Sequence, residues 1–115
     1  MQPFAFDQLP TRIVFASGAL SQVGAEVQRL GGERVMLVHD AMTNASADDV
    51  AAQLGAGLAL RWNEVAQHVP VELAERARTA ATDHAIDAVV TIGGGSSTGL
   101  AKALALSHRV PILAV

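Results

Sequence analysis

Residues 89–104 decide the fold of this chain, and they read VVTIGGGSSTGLAKAL. A β-branched apolar run stops at Gly93, Gly94 and Gly95, and a helical pattern follows at once. Glycine lacks a Cβ, so the chain can turn sharply here and its backbone can approach a ligand closely. A helix that opens at residues 96–98 aims unpaired N–H groups and the positive end of its dipole at this turn. The stretch therefore predicts a strand, a turn suited to phosphate or pyrophosphate, and a helix.

The glycine turn matches neither of the two common nucleotide motifs. The dinucleotide fingerprint requires a third glycine where Thr98 stands, and a Walker A loop requires lysine where Leu100 stands. A tight turn that binds nothing is the alternative. Three glycines are more than such a turn needs, so the anion-binding interpretation is favoured.

The composition limits the classes of protein to which the chain can belong. The 115 residues fit one domain; half are hydrophobic, 3% are aromatic, and the formal charge is −3. This balance gives no basic surface for nucleic acid or for a membrane. The absence of cysteine excludes disulfides and thiolate chemistry. Without a signal peptide or an apolar run of ~20 residues, we expect a cytoplasmic protein.

Hydrophobic periodicity outlines the rest of the chain. Ser17 is a candidate N-cap of the first helix, and Ser46 with Asp49 resembles a capping box of the second. Helical patterns alternate with apolar runs that predict strands at 11–15, 34–38, 58–62, 86–92 and 110–115. Short crossovers of this kind predict an α/β fold, a Rossmann-like and mostly parallel sheet with helices on both faces. Because the last strand ends the chain, we expect 1–115 to be the front part of a longer protein.

Several polar residues could carry chemistry. Asp40 ends the second strand, where it could accept the hydroxyls of an adenosine ribose or bond its own backbone as a loop aspartate. We expect His39 to be a turn residue, and His68 to border a cleft at the same sheet edge as the glycines. The spacing of His68, His84 and His108 predicts no metal site. No catalytic set is evident, so the catalytic residues stay unknown.

Three segments together resemble one family. They are PTRIVFASGAL at 10–20, QHVPVE at 67–72 and GGGSSTGLAKA at 93–103. The last resembles the nucleotide-binding segment of the iron-containing alcohol dehydrogenase superfamily, and all three are most similar to its maleylacetate reductase branch.

The resemblance implies a cofactor site. It implies that Gly93, Gly94, Gly95 and Ser96 hold the pyrophosphate of NADH, or alternatively NADPH, with Ser97 and Thr98 beside it. It also implies that Asp40 lies at the adenosine ribose. Metal-dependent alcohol dehydrogenases of the superfamily usually carry GGGSxxD, and Gly99 stands at that aspartate position here. This departure favours the reductase branch.

The resemblance also sets expectations for the whole protein. Residues 1–115 would be an incomplete dinucleotide-binding domain of the dehydroquinate synthase-like type, followed by an all-α domain with any metal ligands. We expect a homodimer that reduces maleylacetate, a small molecule, to 3-oxoadipate during aromatic degradation, whereas the fragment alone should be inactive. A metal-dependent alcohol or glycerol dehydrogenase is the alternative enzyme. A stand-alone nucleotide-binding module is the alternative outside enzymes.

Overall fold

A computed structural model of the chain describes residues 11–13, 19–66, 68–108 and 110–115. The strands are β1 (Thr11–Ile13), β2 (Val35–His39), β3 (Leu58–Trp62), β4 (Ala88–Ile92) and β5 (Ile112–Ala114). The α-helices are α1 (Val23–Arg29), α2 (Asn44–Leu54), α3 (Val71–Asp83) and α4 (Gly95–His108). Short 3₁₀ turns cover Ala19–Gln22, Ala41–Thr43 and Gly55–Gly57.

The strands form one sheet in the order β1-β5-β4-β2-β3, and every described pair of neighbours is parallel. Helices lie on both faces of this sheet, so the predicted α/β fold class is confirmed. Each predicted strand is present, with shorter bounds in β4 and β5. Ser17 and the end of the first predicted strand lie outside the described residues.

The core consists of one apolar cluster on each face of the sheet. Alternate residues of β2 point to opposite faces, and all five are buried. This continuous burial explains why the sequence of β2 shows no apolar–polar alternation. Helices α3 and α4 cover one face through Leu73, Ala74, Ala77, Ala81, Leu100, Ala101, Leu104 and Ala105. Helices α1 and α2 cover the other through Val23, Val27, Ala47 and Val50.

The second helix begins earlier than its predicted capping box. Asp40, not Ser46, caps this region: its side chain accepts from the backbone of Met42 and starts a 3₁₀ turn that continues into α2 at Asn44. Ser46 lies inside the helix, so the predicted capping box is wrong. The carboxylate of an aspartate can accept directly from the backbone N–H two residues later, which caps the turn locally. Among the described residues, each helix is too short or too polar for a membrane crossing.

The strand order creates a crevice between β2 and β4. From β2 the chain crosses to β3 on one side, whereas from β4 it crosses to β5 on the other side. The helices that follow these strands, α2 and α4, pack on opposite faces of the sheet. In open α/β sheets, ligands bind beyond the carboxyl ends of the strands at such a switch point. The fold therefore predicts that a ligand would bind at the loops after His39 and Ile92.

Thr91 gives a test of the core. It lies in the central strand β4, is 1% exposed, and its hydroxyl has no hydrogen-bond partner among the described residues. Thr91→Val removes an unpaired buried hydroxyl while keeping the branched shape, so we expect the free energy of unfolding to rise by about 1 kcal/mol. Urea denaturation of the complete gene product measures this change. Thr91→Ser is the control, because it keeps the hydroxyl, loses a methyl group and should lower stability. A less stable valine variant would contradict the prediction.

Candidate cofactor site at the switch point

The turn after β4 begins at a residue that has to be glycine. Gly93 has φ +122°, a conformation that residues with a Cβ rarely adopt. A Cβ at Gly93 would lie 2.9 Å from Oδ2 of Asp40 and 3.2 Å from Oγ of Ser97. Backbone conformation and lack of space therefore both require glycine at this position.

The next two glycines are open instead of crowded. Gly94 and Gly95 are exposed, and no described atom lies within 4 Å of the position that a Cβ would take in either residue. Packing within the described chain gives no reason for a bare backbone here. Close approach of a ligand to the backbone does give one.

Helix α4 points its amino end at this open turn. The first backbone hydrogen bond of the helix runs from N of Thr98 to O of Gly94, at 3.2 Å. The N–H groups of Gly95, Ser96 and Ser97 precede that bond and have no acceptor within the helix. Together with the dipole of this 14-residue helix, they favour an anion at the turn.

Three hydroxyl residues follow the glycines in different environments. Ser96 and Thr98 are partly exposed, whereas Ser97 is fully buried. The Oγ of Ser97 has no hydrogen-bond partner in the described part of the chain and lies beneath Gly93. Burying a hydroxyl without a hydrogen-bond partner costs free energy of folding, so the position of this hydroxyl next to the turn calls for a functional explanation.

Asp40 lies beside the glycine turn because β2 and β4 are in register. His39 pairs with Ile92, so Asp40 and Gly93 leave the sheet side by side. Oδ1 of Asp40 accepts from N of Met42 at 2.9 Å and from Oγ1 of Thr43 at 3.1 Å. Asp40 therefore does bond its own backbone, one of the two roles that the sequence left open. Its other oxygen, Oδ2, faces Gly93.

The sequence matches one known protein family. The family model described as iron-containing alcohol dehydrogenase matches residues 10–113. The chain belongs to this family.

Within the family, the chain is more similar in sequence to maleylacetate reductases than to a butanol dehydrogenase. Maleylacetate reductase from Rhizobium sp. (strain MTP-10005) is 39% identical over the whole chain, which spans 33% of that protein. The crystal structure of maleylacetate reductase from Agrobacterium tumefaciens is 38% identical, with a TM-score of 0.83 over 99% of this chain and 33% of its own. NADH-dependent butanol dehydrogenase A from Thermotoga maritima is 28% identical, with a TM-score of 0.72 over 91% of this chain and 27% of its own. The chain thus spans about a third of the curated relatives that it matches.

His39 is a buried strand residue in this iron-containing alcohol dehydrogenase family member. It is 1% exposed and ends β2, so the prediction of a turn residue is wrong. Its Nδ1 lies 2.9 Å from O of Asp40, and its Nε2 accepts from Nε of Arg61 at 2.9 Å. A single polar residue at the end of an apolar run gives no sequence signal for burial, because the register with β4 decides it.

His68 lies in the loop between β3 and α3. It is exposed, and the next residue, Val69, places Cγ2 3.0 Å from the position of a Cβ at Gly99. The loop therefore packs against the first turns of α4, near the glycine turn. Glu64 of this loop forms an exposed ion pair with Arg76 of α3, and the hydrogen bond from that guanidinium lowers the pKa of Glu64.

The other histidines lie elsewhere. Nδ1 of His84 lies 2.8 Å from O of Ala80, and Nε2 of His108 lies 2.9 Å from Oγ1 of Thr82. Both contacts belong to the carboxyl-terminal ends of α3 and α4, at the sheet edge opposite the glycines. The described ranges contain no cluster of three His, Asp or Glu side chains that could hold a metal ion.

The two kinds of glycine should respond differently to alanine. Gly93→Ala forces a Cβ against Asp40 at a positive φ, so we expect a loss of roughly 1–3 kcal/mol in the free energy of unfolding. Gly94→Ala is the matched control, and its Cβ enters open space. Urea denaturation of both variants of the complete gene product compares them. Equal losses would contradict the crowding at Gly93.

Proposed function

We propose that this chain is the NADH-binding part of an oxidoreductase resembling maleylacetate reductase. The observation that carries the proposal is the meeting of Asp40 with the glycine turn at the switch point, where Gly94 and Gly95 are open to a ligand. A carboxylate and an anion-binding turn at adjoining strand ends match the two ends of an adenosine diphosphate group.

The residues present fit the dinucleotide as follows. The pyrophosphate would lie against the backbone of Gly93, Gly94, Gly95 and Ser96, at the amino end of α4, with Ser97 and Thr98 beside it. The buried hydroxyl of Ser97 would support the turn from below and gain a partner if the turn shifts on binding. The ribose hydroxyls would donate to Oδ2 of Asp40. The hydrogen bonds from Met42 and Thr43 go to Oδ1 and leave Oδ2 for the ribose.

The same carboxylate favours NADH over NADPH. A 2′-phosphate placed at the ribose would face the negative charge of Asp40, and like charges repel. The bound nicotinamide supplies the hydride. This chain's residues bind and orient the cofactor, and His68 lies at the rim of the same sheet edge.

The proposed reaction is the reduction of maleylacetate to 3-oxoadipate by a homodimer. Support comes from the identity to maleylacetate reductases over the whole chain and from Gly99 at the aspartate position of metal-dependent relatives. We assign no catalytic residue or metal ligand to this chain and place both in a further, helical domain. A metal-dependent alcohol or glycerol dehydrogenase is the second candidate, supported by the similarity to butanol dehydrogenase A. A nucleotide-binding module without activity is the third.

An assay of the complete gene product separates these candidates. Oxidation of NADH on addition of maleylacetate, unchanged by a chelator, supports the reductase. Reduction of NAD⁺ by butanol or glycerol that depends on added Fe²⁺ or Zn²⁺ supports the alcohol dehydrogenase instead. Binding of NADH without turnover of any of these substrates supports the module.

Gly94→Val tests the pyrophosphate site. A Cβ at this position meets no described atom within 4 Å, yet a side chain there would occupy the side from which a phosphate approaches. We expect the Kd for NADH, measured by calorimetry on the complete gene product, to rise at least about tenfold while the melting temperature stays unchanged. Gly57→Val is the matched control at the opposite sheet edge, where the nearest atom lies 3.7 Å from the Cβ position. Unchanged NADH affinity in Gly94→Val would mean that the turn holds no phosphate.

Asp40→Ser tests the ribose site. Removing the carboxylate removes the repulsion of a 2′-phosphate, so we expect the ratio of kcat/KM for NADH to that for NADPH to fall about tenfold. Asp49→Ser is the control, because it removes an equal charge from an exposed position on α2. A preference of the unmodified protein for NADPH would refute the role of Asp40.

A further inference from the structure

We propose that His39 is a positioning residue that holds Asp40 for the ribose and holds Arg61 away from it, so that the His39–Arg61 pair helps to set the cofactor preference. This inference rests on the proposed binding of NADH at Asp40. It concerns two residues that the cofactor itself need not touch.

The two ring nitrogens of His39 have opposite roles. A carbonyl oxygen can only accept, so Nδ1 carries the hydrogen that it donates to O of Asp40 at 2.9 Å. An arginine Nε–H can only donate, so Nε2 is the acceptor for Arg61 at 2.9 Å. The two partners together fix one neutral tautomer in a ring that is 1% exposed. A ring fixed in this way can hold both partners in place.

The hydrogen bond from His39 is one of several that orient Asp40. The carbonyl oxygen of Asp40 also accepts from N of Thr43 at 3.3 Å, and it shares with Oδ1 the single hydroxyl hydrogen of Thr43, whose Oγ1 lies 3.1 Å from each oxygen. Oδ1 is fixed by Met42 and Thr43, as described above. His39 adds the bond from the buried strand, so the start of the turn is tied to the sheet. The remaining oxygen, Oδ2, is thereby directed at Gly93.

Arg61 is a cation on β3, the strand next to β2, and its guanidinium is already engaged. Arginine near the ribose-binding carboxylate is the usual means of accommodating NADP. Here Nη1 lies 2.7 Å from Oδ1 of Asp48, Nη2 donates to O of Asn44 at 3.5 Å, and Nε donates to His39. The carboxylate of Asp48 is mostly exposed, and an exposed ion pair constrains its partners weakly. The buried ring of His39 is therefore the firmer anchor of the guanidinium.

Two amide substitutions separate the two contacts. In His39→Asn the amide nitrogen takes the place of Nδ1, so the bond to Asp40 is kept and the acceptor for Arg61 is lost. In His39→Gln the amide oxygen reaches the place of Nε2 and accepts from Arg61, so that contact is kept and the bond to Asp40 is lost. His39→Leu removes both.

The Kd values for NADH and NADPH, measured by calorimetry on the complete gene product, read out these effects. For His39→Asn we expect NADH affinity within about threefold of the unmodified protein and NADPH affinity about tenfold higher, because Arg61 is released. For His39→Gln we expect NADH affinity about tenfold lower with no gain for NADPH. His39→Asn combined with Arg61→Met should lose the gain for NADPH. A purely structural role would lower the fraction of folded protein without changing the ratio of the two Kd values.

The failures are distinguishable. An unmodified protein that binds neither dinucleotide overturns the proposed function, and this inference with it. An unmodified protein that binds NADH, with both amide variants within threefold of it for both cofactors, overturns this inference alone. A gain for NADPH that survives Arg61→Met also overturns it, as does loss of folding in both amide variants, which would make His39 only a core residue.

Discussion

The equal register of β2 and β4 is the constraint on which the site depends. Because His39 pairs with Ile92, the next residues, Asp40 and Gly93, leave the two strands side by side. The carboxylate of Asp40 occupies the space where a side chain at Gly93 would lie, and Gly93 has no side chain and a positive φ. The two loops then diverge, since α2 and α4 pack on opposite faces of the sheet. One contact between neighbouring strands thus places a carboxylate next to the glycine turn.

The two carboxylate oxygens of Asp40 differ in their hydrogen bonds. Its Oδ1 replaces the missing acceptors at the start of a 3₁₀ turn, which a carboxylate does well because it accepts from N–H and O–H groups together. Its Oδ2 is left for another donor. A substitution such as Asp40→Ser can retain the cap, because a serine hydroxyl also accepts from the backbone. The charge at the crevice is then removed with little change in the turn.

The sequence predicted what local patterns determine. The runs at β2 and β4 are apolar and β-branched, so their strands, the glycine turn and the layer architecture followed from them. Burial of His39 and its bond to Arg61 could not be predicted, because they depend on which strands become neighbours. The capping-box pattern is local and predicts the cap of α2 at Ser46. Asp40 caps instead through a 3₁₀ turn, which that pattern does not include. The proximity of Asp40 to Gly93 likewise required the strand order.

Gly99 acquires a physical explanation from the loop before α3. Cγ2 of Val69 lies 3.0 Å from the position of a Cβ at Gly99, so any side chain there would press on Val69. Val69 has little freedom to retreat, since it and His68 have φ values of 38° and 62°, a strained conformation for residues other than glycine. The lack of a side chain at Gly99 therefore allows the loop before α3 to lie against the first turns of α4.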